Sequence, residues 1–266
     1  MKEEEKELTP HLVFTITDEA GNFIRRLTTK AQKGINRITW DLRYQDVRPV
    51  RLKGNKFNPT SKNSSSFPVI PGRYFVSMDL VTNDKTENLV SNIEFNTEIL
   101  NNTTIPAKDR KELENFQKKT FELARVVLGT QKYTQELRDK IELIKQAIYE
   151  TPSQSDNMFT KASNLCDELD HILFLFNGEP AKASDEEIPP AEVSLNSRLG
   201  TLLYTNWRST SNITENQKRA YKILFEKIPI VQKEIRRISD VEIKKLEQVM
   251  ESNDAPWTPG RLPEVK

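Results

Sequence analysis

Residues 106–150 read PAKDRKELENFQKKTFELARVVLGTQKYTQELRDKIELIKQAIYE, with a single glycine and no proline after the first residue. Leu113, Phe116, Thr120, Leu123 and Val127, then Tyr133, Leu137, Ile141, Ile144 and Ile148, recur at three- and four-residue steps. That is the period of a helix that buries one stripe. Pro106 suits the first helical position, where its missing N–H would have had no partner. Thr151-Pro152 supplies the stop, because a residue before proline is pushed out of the α region. An unbroken helix of this length would span about 65 Å. Such a helix is not stable alone in water, so other segments must cover its stripe.

Downstream, three more stripes can do so. Ser155 or Asp156 caps a helix over 157–177 whose buried face is Met158, Ala162, Leu165, Cys166, Leu169, Ile172, Leu173 and Phe176, and Asn177-Gly178 ends it. A polar loop over 179–191 leads to a shorter helix over 193–207 carrying Leu195, Leu199, Leu202 and Leu203 and reaching Trp207. Thr214 and Gln217 form a capping box that opens a fourth helix over 215–252. Its stripe is Tyr221, Leu224, Phe225, Ile228, Val231, Ile235, Ile238, Leu246 and Val249, with a kink expected at Pro229. Four such stripes predict an elongated antiparallel helical bundle over 105–252. Residues 253–266 are too proline-rich for helix and predict an extended tail with Trp257 docked on the bundle.

Upstream the period changes to two. Residues 12–17 alternate as a half-buried strand, Asp18 to Asn22 make a turn around Gly21, and Phe23–Thr28 returns. A turn at Lys33-Gly34 leads into a third strand from Ile35 to Tyr44. Residues 45–68, with three prolines and a serine-rich run, read as a long surface loop. Two more strands follow, Arg73–Val81 and Glu87–Phe95, joined at Asn83-Asp84. Five strands over 11–104 predict a small Ig-like antiparallel β-sandwich, so the fold class is α+β, sandwich first and bundle second. Residues 1–10 are a charge run that reads as a linker, the trailing end of something upstream. With no signal peptide, the chain taken as written would be cytoplasmic.

The order of Asp18, Gly21, Asn22, Ile24, Arg25, Leu27, Gly34, Asn36, Trp40, Asp41, Arg43, Pro71, Gly72 and Tyr74 resembles the Ig-like domains of flagellar hook-capping proteins. More closely it resembles the module that follows the β-propeller in secreted bacterial proteins of the BNR-repeat or sortilin type, described as glycosyl hydrolases. Phe116–Lys119, Tyr204-x-x-Trp207-Arg-Ser-Thr-Ser211 and Ala255–Pro263 extend that resemblance over nearly the whole chain. It implies an extracellular or periplasmic accessory module packed against a propeller. The propeller and its Asp-box repeats are missing from this sequence, so the parent family's hydrolysis is not carried onto these residues.

The residues themselves give the motif a structural reading. Gly21, Gly34 and Gly72 permit turns, Asn22 and Asn36 bond turn backbone, Trp40 and Tyr74 fill the sandwich, and Asp41 pairs beside Arg43. A sugar platform of Trp40 and Tyr44 is the less favoured reading. The chain has 266 residues and a net charge of +1, with 15 basic and 13 acidic residues in 1–104 and 25 and 26 in the rest, so neither part is a basic arm for nucleic acid. Cys166 is the only cysteine, which excludes an intrachain disulfide. His171 beside Asp167 and Asp170 reads as a solvated helix surface, so no metal, cofactor or catalytic residue is assigned. Acidic pairs such as Glu112/Glu114 and Glu186/Glu187 read as a wet helix face. Glycoside hydrolysis needs opposed carboxyls across a cleft instead. The densest polar-aromatic group is Trp207, Arg208 and Ser209 with Trp257. It reads as a tie between the turn before the fourth helix and the tail, or as a contact surface for a protein partner or a glycan. Three function classes follow: a non-catalytic packing or assembly module, a carbohydrate- or protein-binding module, and a hydrolase remnant.

Overall fold

A computed structural model describes residues 9–50, 57–61, 64–83, 85–100, 104–151, 156–180 and 190–262. Antiparallel strands come first and helices after, the α+β order expected from the sequence. The strands are β1 (His11–Asp18), β2 (Phe23–Lys30), β3 (Arg43–Gln45), β4 (Ser65–Pro68), β5 (Gly72–Thr82) and β6 (Lys85–Thr97). The helices are α1 (Arg110–Tyr149), α2 (Asp156–Asn177), α3 (Leu195–Arg208), α4 (Glu215–Arg237) and α5 (Ile243–Ser252), with a π turn at Ile238–Glu242 between the last two. The chain divides into two compact units, Met1–Phe121 with Tyr204–Ile213, and Glu122–Leu203 with Thr214–Lys266. Among the described residues no helix is long and apolar enough to cross a membrane.

In the first unit the main sheet has the order β2-β1-β5-β6, and β3 pairs with β4 in a second, two-stranded sheet. Alternation puts Leu12, Phe14 and Ile16 opposite Leu80, Met78 and Val76 on one face of the main sheet. Trp40 seals one end of that face, its ring edge-on to Tyr74 at 5.6 Å and to Phe95 at 5.8 Å. The predicted strand from Ile35 to Tyr44 is strand only from Arg43, because Asn36 turns its amide back onto the Gln32 and Gly34 carbonyls and Leu42 sits at φ 57°. The predicted loop over 45–68 contains a strand, β4, whose Phe67 is buried against Tyr44. Parts of that loop, 51–56 and 62–63, lie outside the described residues, as do most of the linker at 1–8 and Asp84 of the predicted turn.

α1 starts at Arg110, four residues after Pro106, because the Asp109 carboxylate accepts from the Lys111 and Glu112 amides at 2.8 and 2.9 Å. It runs unbroken through Gly129 to Tyr149, about 60 Å at the usual rise. Thr151 closes it by donating its hydroxyl to the Ala147 carbonyl. Tyr133, expected on the buried stripe, is exposed, and Thr130 and Thr134 are buried in its stead. Both threonines donate to the carbonyl four residues back, so their hydroxyls need no other partner.

In the second unit all eight expected stripe residues of α2 are buried. Gln131 with Asn177, Arg138 with Asp170 and Glu142 with Cys166 set α2 antiparallel to α1. Gln232 with Thr130 and Lys140 with Glu247 advance together along both helices, so α4 and α5 run parallel to α1. The fully antiparallel bundle fails for that pair. The capping box at Thr214 and Gln217 is present. α4 continues through Pro229, and the departure from α geometry comes later, where the Ile243 amide bonds the Ile238 carbonyl five residues back. That extra residue rotates everything after it by about 100° relative to a regular helix. Met250 and Ile243 are therefore buried, while Val249, expected on the stripe, is exposed. Phe225 is exposed as well, stacked on Tyr221 at 5.9 Å.

The tail also departs from expectation. Trp257 is 61% exposed, while Thr258 and Arg261 are buried. Gly260 at φ 91° lets the backbone come so close to the Lys140 ammonium that a Cβ there would lie 2.9 Å from Nζ. Arg261 turns back to donate to the Ala255 carbonyl and to reach the Glu251 carboxylate, while its own carbonyl accepts from the Trp257 indole. Ser155 of the predicted cap, the stop at Pro152, residues 181–189 of the polar loop with Glu186 and Glu187, and the last four residues of the tail lie outside the described residues, and of Asp156 only the backbone is described.

Candidate interaction site

The WDLR turn, Trp40 to Arg43, is built so that Arg43 faces outward. The Trp40 indole N–H donates to the Arg43 carbonyl at 2.9 Å, Asp41 pairs with buried Arg25 at 3.3 Å, and the Val69 amide donates to the Leu42 carbonyl. Leu42 takes a left-handed backbone that costs a non-glycine residue about 1 to 2 kcal/mol. Such strain persists only where the surroundings fix it, and here three flanking contacts do. Arg43 then donates through Nη1 to the Ser66 and Trp207 carbonyls, at 3.0 and 3.1 Å, and lays its guanidinium over the Trp207 ring at 4.7 Å from the centroid.

Arg208 lies 5.2 Å from the same ring centroid and 5.4 Å from that of Tyr204, one helical turn before it. The two guanidinium carbons are thus no more than about 10 Å apart. Trp207 is 40% exposed and Tyr204 64%. Among the described residues neither Arg43 nor Arg208 has a carboxylate within ion-pair distance. Burial, reinforced by the Arg25 charge, pulls the Arg43 guanidinium below its ordinary value, with Asp41 opposing.

Beside this stack is a cavity of about 210 Å³ walled by Pro68, Ile70, Pro71, Pro106 and Leu113, with Arg110 at its edge. Pro68 is the β-sheet partner of Arg43, and Thr210, two residues beyond Arg208, lines the same cavity. Within the first unit this segment forms ties of its own. Ser211 donates to the Ile105 carbonyl, the Ala107 amide donates to the Thr210 carbonyl, and Ser209 accepts from the Ser211 amide. Trp257 belongs to the second unit, with its indole N–H on the Arg261 carbonyl.

The other motif residues are engaged internally. Asp18 accepts from the Ala20 and Asn22 amides and from the Asn22 side chain, closing the turn where Gly21 sits at φ 79°. Gly34 also has positive φ, and the Tyr74 hydroxyl donates to the Ile70 carbonyl. Tyr44 is buried, stacked on Phe67 at 4.5 Å, so with Trp40 on the core it forms no sugar platform. Its hydroxyl donates to Glu114 at 2.6 Å. Glu114, expected on the wet face, is thus buried, and Lys118 pairs with it at 3.4 Å while sitting over the Tyr44 ring. Its neighbour Leu113 and the following Gln117 are buried as well, so only the three- and four-residue spacing within 113–120 hinted at this. His171 is exposed, and the described residues contain no group of three metal-ligating side chains.

Comparison with protein-family models, with curated proteins and with solved structures gave no match for this chain.

Proposed function

We propose that this chain is a non-catalytic accessory module that works by contact, through half-buried Arg43 stacked with exposed Tyr204, Trp207 and Arg208. Within the resemblance noted above, it would be the Ig-like and helical part that follows the propeller of an extracellular or periplasmic BNR or sortilin-type protein. The partner would be that propeller or another protein. One observation carries the reading. The turn from Trp40 to Arg43 spends an indole, an ion pair and a strained leucine on presenting one guanidinium to an aromatic ring that remains open to water. Arginine and tryptophan are the residues that dominate contact energies at protein interfaces.

A second reading, a carbohydrate-binding module, is favoured by a groove of about 460 Å³ over the other face of the main sheet. Arg26, Thr28, Asn58, Asp79 and exposed Phe57 line it. A glycan-array screen combined with turnover assays separates the possibilities. The first reading predicts silence in both, the second predicts glycan binding without turnover, and release of reducing sugar would contradict both.

A further inference from the structure

We propose that the stack and the cavity beside it bind an acidic peptide segment, with its carboxylates on Arg43 and Arg208 and a neighbouring apolar side chain in the cavity. This rests on the reading of that face as a contact surface. Two guanidinium groups within about 10 Å repel one another, and among the described residues neither is in an ion pair with a carboxylate. Arg43 has in addition given up part of its hydration for two neutral carbonyls, the face of the Trp207 ring and the longer-range pull of Asp41, with no carboxylate in direct contact among the described residues. An incoming carboxylate offsets both costs, which a neutral sugar does not. Stacking on Trp207 occupies the guanidinium faces and leaves edge N–H groups of Arg208 for in-plane, bidentate bonds.

The cavity supplies the second half of the recognition. Its walls are mostly prolines and aliphatic side chains, with Arg110, Gln117 and Thr210 also lining it, and there is room for one or two apolar groups. A polyanion without side chains would use the arginines and leave the cavity empty. A peptide that alternates acidic and apolar residues uses both, and the rigid proline walls lose little freedom when it binds.

The test is fluorescence anisotropy of a labelled peptide, EELEEL, with the full chain, alongside QQLQQL and EESEES as controls. Arg208→Gln is the main variant, because Arg208 is exposed and its loss leaves the core intact. The expected result is at least a tenfold weaker affinity for Arg208→Gln and for QQLQQL, a smaller loss for EESEES, and weakening as salt is raised. Unchanged affinity in Arg208→Gln would overturn the proposal, and so would equal binding of QQLQQL. Displacement of the peptide by a sulfated polysaccharide at lower concentration would do the same. Equal binding of QQLQQL that is lost in Trp207→Ala would keep the contact surface and remove only its acidic preference. Absence of binding to all three peptides, together with no movement of the Trp207 indole ¹⁵N NMR signal when they are added, would remove both.

Discussion

In the helical unit, Ile141, Ile144, Ile148, Leu169 and Phe176 are wholly sealed from water and need nothing from one another but volume. In the β-rich unit the corresponding central contacts are directional: Tyr44 with Glu114, Arg25 with Asp41, and the Trp40 indole with the Arg43 carbonyl. The two kinds of centre fail differently. An apolar seam loses stability in proportion to the volume removed, and tolerates exchange among residues of similar size. A directional contact loses little in volume when one partner goes, yet strands the other without its hydrogen bond. The difference teaches where surface chemistry can be built. A turn already fixed by directed bonds can hold an outward-facing arginine in one pose, as it does Arg43.

Four changes to the sequence sharpen or break this contrast. The largest effect belongs to the seam: Phe176→Ala should cost about 3 to 5 kcal/mol in urea unfolding, and Phe176→Leu far less. Next comes the π turn. Inserting one alanine after Glu242 advances every later residue by about 100°, so Ile243 and Met250 turn toward water and Val249 takes the place of Met250. The expected loss is about 2 to 3 kcal/mol by the same measurement. Third, Tyr44→Phe keeps the stack on Phe67 but leaves Glu114 with Lys118 alone, for about 1 to 2 kcal/mol. The smallest effect has the opposite sign. Leu42→Gly relieves a left-handed backbone at an exposed position and should stabilise by about 0.5 to 1 kcal/mol, the relief being partly offset by glycine's greater freedom when unfolded.

The same contrast appears in alkali. Burial, with help from the Glu114 hydrogen bond, pushes the Tyr44 phenol well above its ordinary value. The unfolded chain then loses that proton first as pH rises, so Tyr44 contributes stability that declines above about pH 10. Burial and Glu142 push the Cys166 thiol up to about 11 from 9.0, so its contribution declines from pH 9 and levels off near 11. Urea midpoints across that range should fall less steeply in Cys166→Ala than in the parent chain. In Tyr44→Phe the difference should appear only above about pH 10. An identical slope in all three proteins would mean that other groups govern the alkaline loss.

The helical seams were legible because burial on a helix repeats every three or four residues, and α2 matched at every position. The misses have one form each. Tyr133 and Val249 were placed by hydrophobicity, but threonines that bond their own helix can be buried at no cost, and a one-residue π insertion shifts every later position. Nothing local announces that insertion at Ile238–Glu242. In the β-rich unit, turn residues such as Asp18, Gly21 and Asn36 behaved as their chemistry dictates, while the third strand shrank and β4 went unseen. The candidate site was half legible. Trp207 and Arg208 stood out as a cluster, but their partner Arg43 lies 164 residues away, a distance that no spacing rule spans. Trp257 belongs to the second unit, where its indole N–H donates to the Arg261 carbonyl.

The most direct test of the contact surface is indole ¹⁵N NMR, because the chain has three tryptophans and so three resolvable Nε1–H signals. Those of Trp40 and Trp257 are committed to the Arg43 and Arg261 carbonyls. On addition of EELEEL the Trp207 signal should move in a saturable way while the other two stay in place. If Trp207 holds still, or if Trp257 alone responds, the stack is not the surface through which this protein makes contact.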